Sequence, residues 1–129
     1  MKYTALVAVA ALAAVGAASA EPLKLYVAPE GQDTWNGRAA APGKGKGPFA
    51  TLERARDEIR KVKKEGGLPK GGVTVELAAG VYELAQPLAL TAEDSGAEGA
   101  PITYRARKGA EVRLVGGKQV TNFKPVTDA

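Results

Sequence analysis

The run Val73–Leu90, V-T-V-E-L-A-A-G-V-Y-E-L-A-Q-P-L-A-L, most constrains what this chain can fold into, because three short apolar runs follow one another with only tight bends between them. In Val73–Leu77 the residues Val73, Val75 and Leu77 share one face while Thr74 and Glu76 share the other, the period-two pattern of a strand buried on one side. Gly80 supplies the freedom at positive φ that a sharp bend requires. Val81–Leu84 and Leu88–Leu90 read as two more strands, and Pro87 opens the last, where a missing N–H does least harm to a ladder. Neither link is a two-residue Asn-Gly or Asp-Gly hairpin turn. A chain that bends the same way at each corner makes a rung of a coil.

The first twenty residues read as an export signal. Lys2 gives a positive start, Ala5–Val15 is an apolar run, and Ala18-Ser19-Ala20 is an A-x-A cleavage site, so the mature chain is expected to span 21–129. That run is shorter than the about 20 apolar residues of a spanning helix. The expected location is therefore secreted, periplasmic or cell-surface, with no membrane association after cleavage. An exported chain without cysteine has no disulfide and is held by packing and backbone hydrogen bonds.

Composition narrows the partners. Aromatic residues make up 5% of the chain, so large apolar anchors are scarce. The formal net charge of +4 falls to +3 without Lys2, since no acidic residue lies in the first twenty. On an exported protein this mild excess favours an anionic substrate such as an acidic polysaccharide, and argues against nucleic acid.

Along the mature chain, Leu23–Ala28 alternates Leu23, Leu25 and Val27 against Lys24, Tyr26 and Ala28, the pattern of a strand. A long loop rich in turn formers follows, with Trp35, the only tryptophan, expected to tie it down. Gly43-Lys44-Gly45-Lys46-Gly47 is not a phosphate cradle: it lacks the P-loop pattern, and Pro48 after it has no N–H to offer. A helix is expected over Thr51–Glu65, with Thr51 as cap, Phe49 as an apolar clasp, and Leu52, Ala55, Ile59 and Val62 on one buried stripe. Lys61, Lys63 and Lys64 suit its negative C-terminal end, and Gly66-Gly67 stops it. Beyond the rung and the acidic loop Ala92–Ala100, strands are expected at Ile102–Arg107, Val112–Val115 and Gln119–Phe123. The Val73 and Ile102 strands then stack on the same side of successive coils, as do Leu88–Leu90 and Val112–Leu114, a spacing that fits a parallel solenoid.

Tyr26-Val27-Ala28-Pro29-Glu30-Gly31-Gln32-Asp33-Thr34-Trp35-Asn36-Gly37, Gly47-Pro48-Phe49-Ala50-Thr51-Leu52-Glu53-Arg54-Ala55-Arg56, Gly80-Val81-Tyr82, Ser95-Gly96 and Ala100-Pro101-Ile102-Thr103-Tyr104-Arg105-Ala106 together carry a family likeness. The series resembles the N-terminal region of secreted right-handed parallel β-helix proteins of the pectate-lyase-like superfamily, and within it the bacterial β-helix glycoside hydrolases. The resemblance implies a mainly β solenoid whose N-terminal mouth is plugged by the Thr51–Glu65 helix, with further coils stacked on the C-terminal end. It also implies a longer protein whose catalytic carboxylates, or a lyase's basic residues and calcium ligands, lie on middle coils. The catalytic residues are therefore expected beyond Ala129, and this stretch to act as cap and scaffold. A non-catalytic surface or glycan-binding module is the alternative, and a complete short chain that covers its open coil by self-association is a third.

Within the chain itself the chemistry is sparse. Glycoside hydrolysis needs two carboxyl groups about 5–10 Å apart across one sugar bond. Glu76, Glu83, Glu93, Asp94 and Glu98 are the candidates, and no pair is flagged by spacing. The loop acids Glu93, Asp94 and Glu98 have the chemistry of calcium ligands without the EF-hand order. The absence of histidine and cysteine excludes His- or Cys-based nucleophile relays and ordinary zinc sites. Trp35 and Tyr82 are read as packing residues rather than sugar-stacking platforms, and the lysine cluster as a solvated face rather than a glycan site. No catalytic, cofactor or metal residue is assigned here.

Overall fold

The computed structural model describes residues 21–127, so the expected export signal lies outside the described residues. Among the described residues five strands and one α-helix follow in the order β1 (Leu23–Val27), α1 (Leu52–Gly66), β2 (Val73–Leu77), β3 (Gly80–Glu83), β4 (Ile102–Ala106) and β5 (Val112–Val115), with a 3₁₀ turn at Ala92–Asp94 before β4. The strands form two small parallel sheets, β1-β2-β4 and β3-β5. No helix among the described residues is long and apolar enough to cross a membrane.

The expected right-handed parallel β-helix is not what these residues build. Leu88–Leu90, read as the third side of a rung, forms no strand: Leu88 is half-buried, Ala89 and Leu90 are exposed, and the Ala89 carbonyl accepts from the Arg56 guanidinium at 3.1 Å rather than from a ladder. Its expected partner, Val112–Val115, pairs instead with Gly80–Glu83. Gln119–Phe123 is irregular as well, with Phe123 84% exposed. Three apolar residues after a proline supply too little buried surface, and too few free N–H groups, to hold a strand. Two ladders of three and two strands under one helix replace the solenoid.

The sequence pattern does set the register of the larger sheet. Leu25, Val75 and Tyr104 stand side by side, as do Val27, Leu77 and Ala106. Alternation sends Val73, Val75 and Leu77 inward to full burial and leaves Thr74 and Glu76 half-exposed. Burial falls off across the sheet: Leu25 and Val75 are fully covered, whereas Ile102 and Tyr104 of β4 are half-buried. Gly80, at φ 146, turns the chain from β2 into β3 through a conformation that a side chain resists.

Helix α1 forms as its stripe indicates, with Leu52, Ala55 and Ile59 buried in one core with Leu25, Val27 and Phe49. It packs against β1 and against the Ala92–Asp94 turn. The Thr51 hydroxyl caps it by accepting from the Arg54 amide at 3.1 Å, and the Gly67 amide closes it on the Lys63 carbonyl at 3.1 Å. A more distant residue reinforces that cap. Asp33 Oδ1 accepts from the amides of Ala50 and Thr51 at 2.8 and 3.0 Å, and Oδ2 accepts from the Thr51 hydroxyl at 2.8 Å. One carboxylate thus pins the long loop to the helix start, where backbone donors and the helix dipole both favour negative charge. Asp33→Ala is expected to cost about 1–2 kcal/mol, read as a lower urea midpoint with an unchanged slope; Asp33→Asn, which keeps one acceptor, costs less.

Phe49 is more than a clasp. Its side chain is fully buried, its amide donates to the Tyr26 carbonyl at 2.8 Å, and its carbonyl accepts from the Ala28 amide at 2.9 Å. It therefore continues the larger sheet on the free side of β1 as a single parallel bridge to Val27. The ring lies against Gly37, where a Cβ would have no room, and the Arg54 guanidinium lies 4.6 Å from its centroid. Trp35 ties the loop as expected, its ring seated against Gly47.

Candidate functional site

The outward side of the β1-β2-β4 sheet gathers a cluster of cations. Register places Lys24, Thr74 and Thr103 in one row and Tyr26, Glu76 and Arg105 in the next, and Arg107 and Lys108 follow β4. Neighbouring strands lie about 4.8 Å apart and outward positions along a strand about 6.6 Å apart, so these groups share one surface. Glu76, Arg105, Ala106, Arg107 and Lys108 line an open groove of about 540 Å³. Glu76 accepts from Arg105 at 2.6 Å. This bond, aided by the charges of Arg105, Lys24 and Arg107, holds the Glu76 carboxyl below the usual carboxylate range. One carboxylate cannot neutralise four cations. Among the described residues Lys24, Arg107 and Lys108 form no ion pair, so the face keeps a positive surplus beside hydroxyls and one half-buried tyrosine.

Several other charged residues are spent on the fold. Asp94 receives the Arg60 guanidinium in a bidentate pair at 2.7 and 2.6 Å and the Thr91 amide at 2.7 Å. Its side chain is 6% exposed, and the Arg60 hydrogen bonds hold its carboxyl far below the ordinary range. Lys63 donates to the carbonyls of Glu93 and Ser95 at 2.7 and 2.8 Å, and Lys64 lies 3.3 Å from Glu93. Glu93 and Asp94 therefore clamp the acidic turn onto α1, while Glu98 is exposed and forms no ion pair among the described residues. Among the described residues no cluster of three or more His, Cys, Asp or Glu side chains is placed to hold a metal ion. Of the lysine cluster, Lys63 and Lys64 reach this turn of their own chain, while Lys61 lies 3.9 Å from Glu65 on the exposed side of the helix.

The clamp sets an acid-side signature. The folded state holds a proton on Asp94 less tightly than the unfolded chain, where the ordinary value is 3.8. Its stabilisation is complete at neutral pH and drains away as the pH falls below about 4. Asp94→Asn is expected to lower Tm at neutral pH, with the gap to the parent closing in acid; thermal melts across that range check it.

Glu76 and Glu83 do not form a hydrolytic pair, because β2 and β3 belong to different sheets and Glu76 is engaged by Arg105. Glu83 shares a small cleft of about 280 Å³ with Glu53, Thr51 and Val81 at the start of α1. Tyr82 is buried, as a packing residue should be. Its hydroxyl donates to the Ala78 carbonyl at 2.8 Å, with the Val27 carbonyl at 3.2 Å, and burial, with the charge of Glu30, pushes it up to about 12. The sequence placed Thr103 and Arg105 on an outward face, but not their meeting with Lys24 across two strand pairings. Only the strand order brings residues 24, 76 and 105 together.

No protein-family model matches the chain. No curated protein matches it. Among solved structures, one described as a glycoside hydrolase superposes with a TM-score of 0.66 at 28% sequence identity, covering 80% of this chain and 16% of that one. The chain is thus similar to part of a structure described as a glycoside hydrolase. It spans about a sixth of that protein's length.

Proposed function

We propose that this chain is the N-terminal scaffold of an exported carbohydrate-active protein, in which α1 covers one end of the core and further polypeptide packs on the half-buried β4 and β5 side. The likeness to a glycoside hydrolase over four-fifths of the chain is the observation that carries this reading. The A-x-A site at Ala18-Ser19-Ala20 supports export. The partner is a polysaccharide, and the cation surplus around Arg105, Arg107 and Lys108 favours an acidic one, met on the outward face of β2 and β4. No catalytic pair is assigned to these residues; hydrolysis or elimination belongs to the rest of such a protein.

A non-catalytic glycan-binding role is the second reading, favoured by the engagement of Glu76 and Asp94 in ion pairs. The experiment is a screen of the product of the whole reading frame against acidic and neutral polysaccharides, following both retention and release of reducing ends. Turnover supports the enzyme reading, retention without turnover supports the binding module, and neither on any glycan overturns both.

A further inference from the structure

Asn36 and Gly37 sit in the loop that Phe49 and β1 hold in place, and their geometry suits a reaction that the fold does not otherwise use. Gly37 adds no side chain of its own beside its amide nitrogen, and that N–H makes no hydrogen bond among the described residues. The Asn36 side-chain oxygen accepts from the Arg38 amide at 3.0 Å. A donor fixed on that oxygen stabilises the negative charge that grows there if the side-chain carbon is attacked.

We propose that Asn36 is a site of spontaneous covalent modification, deamidating through a cyclic imide formed with Gly37. The Gly37 amide nitrogen, after losing its proton to hydroxide, attacks Asn36 Cγ. The new N–C bond forms as the C–NH₂ bond breaks, and the nitrogen leaves as ammonia once protonated by water. Water then opens the imide at either carbonyl, giving aspartate or its β-linked isomer, with no oxidation or reduction. The step adds a negative charge next to Arg38, whose guanidinium lies 3.7 Å from Glu58. The β-linked product also lengthens the backbone just before Gly37, which is buried beneath the Phe49 ring and whose carbonyl accepts from the Tyr26 amide at 2.8 Å. Modification therefore loosens the seam between the long loop and β1, so the chain carries an ageing site beside its core.

The chain's other asparagine, Asn122, is followed by Phe123 and serves as an internal control. The folded full chain is incubated in mildly alkaline and mildly acidic buffer, then mapped by peptide mass spectrometry with enzymatic labelling of β-linked aspartate. The expected result is conversion at Asn36 at least about tenfold faster than at Asn122, faster in alkali, with the β-linked isomer present and Tm falling in step. Asn36→Gln abolishes the product, and Arg38→Pro, which removes the N–H donor, slows it. Asn36→Asp, which brings the charge without the longer backbone, stays nearer the parent in Tm than the aged protein. Persistence of Asn36 while Asn122 converts, or a rate independent of pH, overturns the assignment; an unchanged rate in Arg38→Pro overturns the role of the donor.

Discussion

Val75→Asp is expected to unfold the chain. Val75 is fully buried in the central strand, flanked by Leu25 and Tyr104, and among the described residues no charged side chain is buried in the core to receive a carboxylate. An unpaired charge there costs more than about 4 kcal/mol, a large share of the about 5–15 kcal/mol that holds a small domain together. Its neighbour one residue on behaves differently. Glu76→Gln removes an ion pair to an Arg105 side chain that is 56% exposed, worth about 0–1 kcal/mol. Circular dichroism and urea melts of the two variants separate them. Equal effects would mean that the inward and outward faces of β2 are wrongly assigned.

Phe49→Ala is the second large effect, expected to cost about 3–5 kcal/mol. The ring fills the space between Gly37 and Arg54, and the residue's backbone bonds extend the sheet beyond β1. Truncation leaves a cavity that Gly37 has no side chain to fill. It also frees the loop that Asp33 holds from the other direction, so a double variant with Asp33→Ala should show coupling rather than simple addition. Phe49→Leu, which keeps most of the apolar volume, should recover more than half of the loss in a denaturant titration.

The elements with strong local signals are legible in the sequence. The 3.6-residue stripe of α1, its Thr51 cap and glycine stop, and the alternation in Leu23–Val27, Val73–Leu77 and Ile102–Ala106 all depend on neighbours in sequence, and all stand in the structure. What failed depended on distance. Leu88–Leu90 looked like a strand because three residues in a row were compatible with one, but the arginine at position 56 takes its carbonyl and no strand lies beside it. Gln119–Phe123 failed for the same reason. Pairing partners must be supplied by remote chain, and a short apolar run says nothing of whether they are.

The same limit applies to the charged groups. Asp33 is one turn former among several, and nothing in its surroundings shows that it would bond the helix cap Thr51, eighteen residues later. The acids at positions 93 and 94 looked available for calcium until the helix packed beside them and Arg60 reached across. The groove around Arg105 required the parallel order β1-β2-β4, which converts residues scattered from 24 to 108 into one face. Local chemistry named these side chains, and tertiary pairing assigned their roles.

Amide hydrogen exchange of the full chain, followed residue by residue, tests the central architecture most directly. Val73–Leu77 is bonded on both edges and buried on one face, so its amides should exchange slowest, followed by Leu23–Val27, while β4, with one partner strand, exchanges faster. Leu88–Leu90 should show little protection. Slow exchange at Leu88–Leu90, or protection across β4 equal to that of β2, would contradict two small parallel sheets with β2 at the centre.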